Sequence, residues 1–280
     1  MRSRFLVVLA LTGMAGGASW ESLDLATESS VRREDGAPVK VGRGEARAYV
    51  VVDPASGEPV EVGVALDEAA LDGLPETGEH GGGGHEHYSS WILELPGGHR
   101  TPYRFVELDW NPKGHGGPYT APHFDFHFYR VPLAERNAID PARADYAALA
   151  AKLPAADELP AGYAAHHVLT NLTPAEAAVP RMGLHWIDTR SPELPPRNEP
   201  FTATFIVGSW GGKVIFDEPM ITRDFILARR DPSADSAVSI PVTASARYSP
   251  AGFYMDGYRV TFDSDTREFR VALTGLTWKE

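Results

Sequence analysis

Twenty-six basic residues against 38 acidic ones leave this 280-residue chain with a net charge of −12 at pH 7, which argues against nucleic acid and against an anionic membrane surface as partners. The chain has no cysteine, so disulfides, thiol nucleophiles and thiolate metal sites are excluded together, and any metal must be held by histidine and carboxylate. A hydrophobic content of 43% is ample for a core, and 27 glycines with 23 prolines fit a turn-rich, mostly β protein.

Residues 1–18 (MRSRFLVVLALTGMAGGA) have the pattern of a secretory signal: Arg2 and Arg4, an apolar run over 5–11, then the small residues Gly16 and Ala18. The apolar run is too short to span a bilayer, so a periplasmic or secreted protein, free of the membrane after signal cleavage, is expected. Residues 19–41 are polar and aperiodic and read as an exposed arm. A single β-rich domain is expected over 42–280.

The first strand of that domain is 46–52 (ARAYVVV), turned at 53–57 into a second, 59–66 (PVEVGVAL). Residues 67–74 predict a helical turn capped by Asp67 and stopped at Gly73. The stretch 78–90 (GEHGGGGHEHYSS) carries His80, His85 and His87 around four glycines. Ordering such a segment around a metal costs a large entropy, so it reads as a solvated hairpin loop. Strands follow at 88–95 and 102–110, and Glu107, Asp109 and Glu218 are the carboxylates set near strand ends.

The organising stretch is 115–130, HGGPYTAPHFDFHFYR. Phe124, Phe126 and Phe128 alternate with His123, Asp125 and His127, a period of two that predicts a strand with one aromatic face and one His/Asp/His face. Burying the aromatic face leaves two imidazoles and a carboxylate that must look into a polar cavity or find partners. Residues 132–153 then read as two short helices broken near Asp140-Pro141. His166-His167 is expected on an extended segment. His185 lies opposite an apolar face in 181–188, and 202–208 with 212–216 predict a hairpin that leaves Glu218 at a strand end. Strands at 241–247, 257–263 and 268–276 complete the set. This many strands with few helices predict a single barrel or sandwich, cupin-like or calycin-like, with short helices inserted around 132–153.

The motifs HFDFHFY (123–129), MGLHW (182–186), EPM (218–220) and WNPKGH (110–115) together resemble those of a family of exported bacterial proteins known by a domain-of-unknown-function label. The resemblance spans roughly 42–276. It implies one continuous domain and groups His115, His123, Asp125, His127, His185 and Glu218, without implying a reaction.

Neutral imidazole with carboxylate suits a divalent metal, zinc or iron above all. The expected ligands are His123, Asp125, His127, His185 and Glu218, with His115 in reserve. Residues two apart on a strand are separated by about 6.6 Å and residues four apart by about 13 Å, so one ion takes Asp125 with either outer histidine but hardly both. Two alternatives stand beside the metal: a metal-free polar cavity for a small molecule, and a structural hydrogen-bond cluster. The function classes are correspondingly an exported metal-dependent enzyme and a non-catalytic exported binding or stress-related protein, in either case open to homo-oligomer formation. No GxSxG, HExxH, phosphate-loop or dinucleotide motif is present.

Overall fold

The computed structural model describes residues 31–77, 80–82 and 85–280. The expected signal at 1–18, the first part of the arm, and the side chains of the Gly/His segment lie outside the described residues. The rest of the arm is not a free tail. Its residues form β1 (Arg32–Asp35) and β2 (Val39–Val41), both paired antiparallel with β3 (Gly44–Val52).

The hairpin expected next is β3 and β4 (Pro59–Asp67). The Asp53 side chain accepts from the Ala55 amide to shape its turn. Asp67 then caps a short 3-10 turn, Glu68–Leu71, by accepting from the Ala70 amide. The larger part of the chain builds β5 (His80–Gly82), β6 (His85–Glu94), β7 (Phe105–Asn111) and β8 (His123–Tyr129). Helices α1 (Leu133–Asn137) and α2 (Tyr146–Ala150) fall where two broken helices were expected. After them come β9 (Tyr163–Ala165), α3 (His166–Thr170), α4 (Pro174–Ala177), β10 (Leu184–Asp188), β11 (Ala203–Trp210), β12 (Lys213–Thr222) and α5 (Arg223–Leu227). The chain closes with β13 (Ala237–Pro241), β14 (Gly252–Tyr254), β15 (Gly257–Asp263), β16 (Glu268–Thr274) and β17 (Thr277–Lys279).

The smaller main sheet runs β1-β3-β4-β16-β15-β13 with β2 also on β3, and the larger runs β5-β6-β7-β8-β12-β11-β10-β9. Both are antiparallel, and neither closes into a barrel among the described residues, which corrects the barrel alternative. The larger sheet ends in a three-residue strand whose chain turns directly into α3, and the smaller in β13, whose terminal Pro241 has no amide hydrogen to extend a ladder. The sheets face each other sandwich-fashion instead. One core cluster joins Val50, Val62, Val64 and Val271 of the smaller sheet to Val106, Leu108, Phe124, Phe126, Phe128 and Val207 of the larger.

The far face of the larger sheet is also covered. Tyr129, Leu184 and Phe216 pack there against Ile139, Tyr146, Ala150 and Ala177 of the helical segment, and Ile206 and Met220 pack against Tyr119 and Phe201. Among the described residues no helix is long and apolar enough to cross a membrane.

Three local expectations differ from the structure. His166 and His167 open α3 instead of lying extended. The strand expected at 241–247 lies at Ala237–Pro241, because Pro241 ends the pairing with β15. Glu218 is in the middle of β12, not at a strand end. The strand survives Pro219 because β12 pairs β8 at Asp217–Phe128 and Met220–Asp125 and skips the residues between, where the proline has no N–H to give.

Candidate metal centre

Alternation along β8 decides the site. Phe124, Phe126 and Phe128 point into the inter-sheet core, so His123, Asp125 and His127 occupy the covered far face, each 1% exposed or less. The neighbour β7 does the same: register sets Asn111 against His123, Asp109 against Asp125 and Glu107 against His127. From the other side, β12 brings Glu218 and β10 brings His185, which lies beside Gly208 of β11. Gly208 is required here, because a Cβ would sit 2.1 Å from the Phe216 ring. That ring packs against both His127 (4.9 Å) and His185 (5.5 Å).

These residues fall into two groups. In the inner one, single ligand atoms of His127, His185 and Glu218 lie within 4.8 Å of one another, and all three residues are buried. His127 Nε2 is 3.6 Å and His185 Nε2 4.0 Å from Glu218 Oε2, while His127 Nδ1 faces Asp109 Oδ2 at 3.7 Å. The outer group is His115, His123 and Asp125, again within 4.8 Å, with His115 only partly buried. His123 and His127 thus end in different groups, as their spacing along a regular strand requires.

Each group is oriented from behind. His123 Nδ1 donates to the Ala121 carbonyl at 2.7 Å; a carbonyl only accepts, so Nδ1 carries the proton and Nε2 presents a lone pair. That nitrogen faces Asp125 Oδ1 at 3.3 Å, and Asn111 Nδ2 holds the other Asp125 oxygen at 2.8 Å. The loop delivering His115 turns at Gly114 (φ +65°), where a Cβ would lie 2.3 Å from the Tyr119 carbonyl oxygen.

The carboxylates on this face differ sharply. Glu107 is matched, accepting from Ser90 Oγ at 2.8 Å and from Arg136 Nε of α1 at 2.9 Å. Both oxygens of Asp109, Oδ1 of Asp125 and Oε2 of Glu218 are buried and have no hydrogen-bond partner among the described residues, and the same holds for both nitrogens of His127 and Nε2 of His123. Burial pushes the Glu218 and Asp109 carboxyls well above the ordinary range, and the neighbouring Asp125 charge adds to both shifts. Burial likewise pulls His127 and His115 down to about 4. For His123 burial is the largest influence and pulls down, but the Asp125 carboxylate and the Ala121 carbonyl together outweigh it and the pKa ends above the ordinary value; Asp125 is held low by His123, His115 and His127 against its own burial.

The arrangement brings together every site residue expected from sequence, as two adjacent triplets instead of one set. It also adds Asn111, which the sequence did not mark, and Asp109, marked only as a carboxylate near a strand end. The signal for them is the alternation in FVELDWN, where Glu107, Asp109 and Asn111 interleave with Val106, Leu108 and Trp110 one hairpin before the His/Asp/His strand.

Neither curated proteins nor solved structures yield a match to the chain. Among protein families, a model described as TTHB210-like, hypothetical protein TTHB210, matches residues 55–110. The matched stretch carries Glu107 and Asp109 but ends before His115, so it stops short of both triplets. Over 55–110 the chain is similar to that family of hypothetical proteins.

Proposed function

We propose that the protein binds a divalent transition metal, zinc or iron, through His127 Nε2, His185 Nε2 and Glu218 Oε2. The observation that carries this reading is the convergence of these three buried ligand atoms within 4.8 Å of one another, with His127 Nε2 and Glu218 Oε2 lacking a hydrogen bond among the described residues. Leaving such groups unmatched costs several kcal/mol, of order 1–3 for each neutral group and more for a charge. Tetrahedral ligands about 2.0–2.1 Å from zinc lie roughly 3.4 Å apart, and separations of 3.6 and 4.0 Å need only a small contraction. Asp109 lies 3.7 Å from His127 Nδ1, on the side away from the three ligand atoms and beyond hydrogen-bonding distance.

Three protein ligands leave a position for water, which makes hydrolysis, isomerisation or oxygen chemistry available to an enzyme. The rival reading is a hydrogen-bond cluster in a non-catalytic binding or structural protein. It draws on the raised carboxyls of Glu218 and Asp109, which as neutral acids could donate to His127, but 3.6 and 3.7 Å are too long for such bonds. We also read the chain as exported, on Arg2, Arg4 and the apolar run that follows, and its HFDFHFY, MGLHW and EPM motifs as those of the family it resembles. Mass spectrometry of cell-envelope material should find a mature end near Ser19; an intact Met1 would overturn export.

The test of the centre is elemental analysis of untagged full-length protein beside the His185→Ala variant. A bound stoichiometric metal lost in His185→Ala, with the circular dichroism spectrum unchanged, is expected. A metal-free wild type in which His185→Ala simply destabilises by about 1–3 kcal/mol would favour the hydrogen-bond cluster.

A further inference from the structure

We infer that His115, His123 and Asp125 form a second cation site beside the first, making the centre a two-ion one with a buried inner and a more accessible outer position. The pair as a whole rests on the His127–His185–Glu218 reading above; the outer site stands on its own observations.

The first is the contact between His123 Nε2 and Asp125 Oδ1. With Nδ1–H committed to Ala121, two lone pairs meet at 3.3 Å inside the protein. A proton shared between them would give a charge-assisted hydrogen bond near 2.7–2.9 Å, and the pair is neither that short nor aligned as a bond, since both atoms are without a hydrogen-bond partner among the described residues. A cation between them satisfies both. His115 completes the triplet: its ring lies 4.8 Å from that of His123, nearly perpendicular to it, so the two imidazoles approach the carboxylate from different directions. Asn111 on Asp125 Oδ2 and Ala121 on His123 Nδ1 are the outer contacts that metal ligands characteristically have.

The second observation is charge. Asp109, Asp125 and Glu218 crowd one buried face, while the guanidinium of Arg136 is engaged by Glu107. One divalent ion leaves one of the three carboxylates uncompensated, whereas two ions compensate all three with one positive charge over. Asp109 adjoins both triplets, opposite Asp125 in register and 3.7 Å from His127 Nδ1, so its charge acts on both positions without ligating either.

The third is access. His115 is partly exposed, whereas the other five residues are buried. A cavity of about 390 Å³ lined by Thr120, Ala121, Glu193 and Phe201 lies on the other side of Phe201, whose ring meets that of His123 edge-on at 5.4 Å. The outer ion therefore exchanges with solvent and presents its open position to a ligand, while the inner ion is enclosed.

The experiment is titration of the chelator-stripped, untagged full chain with Zn²⁺ and with Co²⁺, read by elemental analysis after desalting and by the cobalt absorption spectrum. Two ions per chain are expected for wild type. His123→Ala should hold one ion and His185→Ala should retain the outer one, with different cobalt spectra. Asn111→Leu, which leaves all six ligands in place, should weaken only the weaker-bound ion, by about 10–100-fold, and covers the case in which His123→Ala does not fold. A wild type holding one ion, lost in His185→Ala and indifferent to His123→Ala and Asn111→Leu, would overturn the second site and leave the first. A wild type holding none would overturn both.

Discussion

Asp217 and Glu218 are adjacent on one strand, equally buried, and point to opposite faces of the same sheet. Asp217 looks between the sheets and is fully matched: Arg130 donates from Nε and Nη2 at 2.7–2.9 Å and Tyr103 Oη at 2.9 Å, with Tyr254 stacked on the guanidinium at 4.8 Å. Glu218 looks the other way, at two histidines beyond hydrogen-bonding distance. The difference separates two uses of a buried charge. A carboxylate with a complete set of donors is architecture, whereas a buried one with an oxygen beyond reach of any donor among the described residues is what a cation site would need.

The comparison breaks most severely at Arg130. Removing one partner strands a buried charge, so Arg130→Met should destabilise by about 3–5 kcal/mol in urea unfolding. The bound metal per folded chain should not change; a loss of metal would merge the two regions into one. Glu218→Gln tests the opposite face. It should abolish the inner metal yet stabilise the metal-free protein at pH 8 by about 1–3 kcal/mol, because the carboxyl at 218 then no longer has to be kept uncharged or unmatched. Destabilisation of the metal-free form by that variant would show that Glu218 is matched after all.

A smaller effect is the pH profile of the metal-free protein. Glu218 and Asp109 have folded pKa values raised above their unfolded ones, and so has His123. The folded state therefore holds more protons, and stability falls as pH rises towards those folded values. His127 and His115, lowered to about 4, work the other way, but only up to their unfolded value near 6.5. Above about pH 6.5 the metal-free protein should lose roughly 1.4 kcal/mol per pH unit for each raised group still titrating. The metal-loaded protein should be flat there, and parallel profiles would argue that metal and proton do not compete. The smallest change is expected at Lys213, whose exposed ammonium sits 3.8 Å from Glu135. Lys213→Ala should move stability by no more than about 0.5 kcal/mol, since pairing without burial carries little energy.

Much of the fold was legible because hydrophobic period and turn chemistry are local. HFDFHFY announces its own two faces, and the Asp67 cap and the 53–57 turn announce theirs. The strand placement failed where a single proline decided it, at 241–247 and around Glu218. The closed barrel failed for a different reason: whether edge strands meet depends on twist and on what covers them, and no local pattern encodes that.

The sequence by itself determined that the chain is mainly β, that any metal could be held only by histidine and carboxylate, and that His123, Asp125 and His127 share one face. Only the tertiary structure decided that these three divide between two triplets, that Asp109 and Asn111 stand behind them, and that Glu107 and Asp217 do not belong with Glu218. Those distinctions depend on which donor the fold lays against each carboxylate, from the helix in the case of Arg136. Arg130 and Arg136 lie far from Asp217 and Glu107 in sequence, and pairing between distant strands is set by the register of whole sheets, not by any residue's neighbours along the chain.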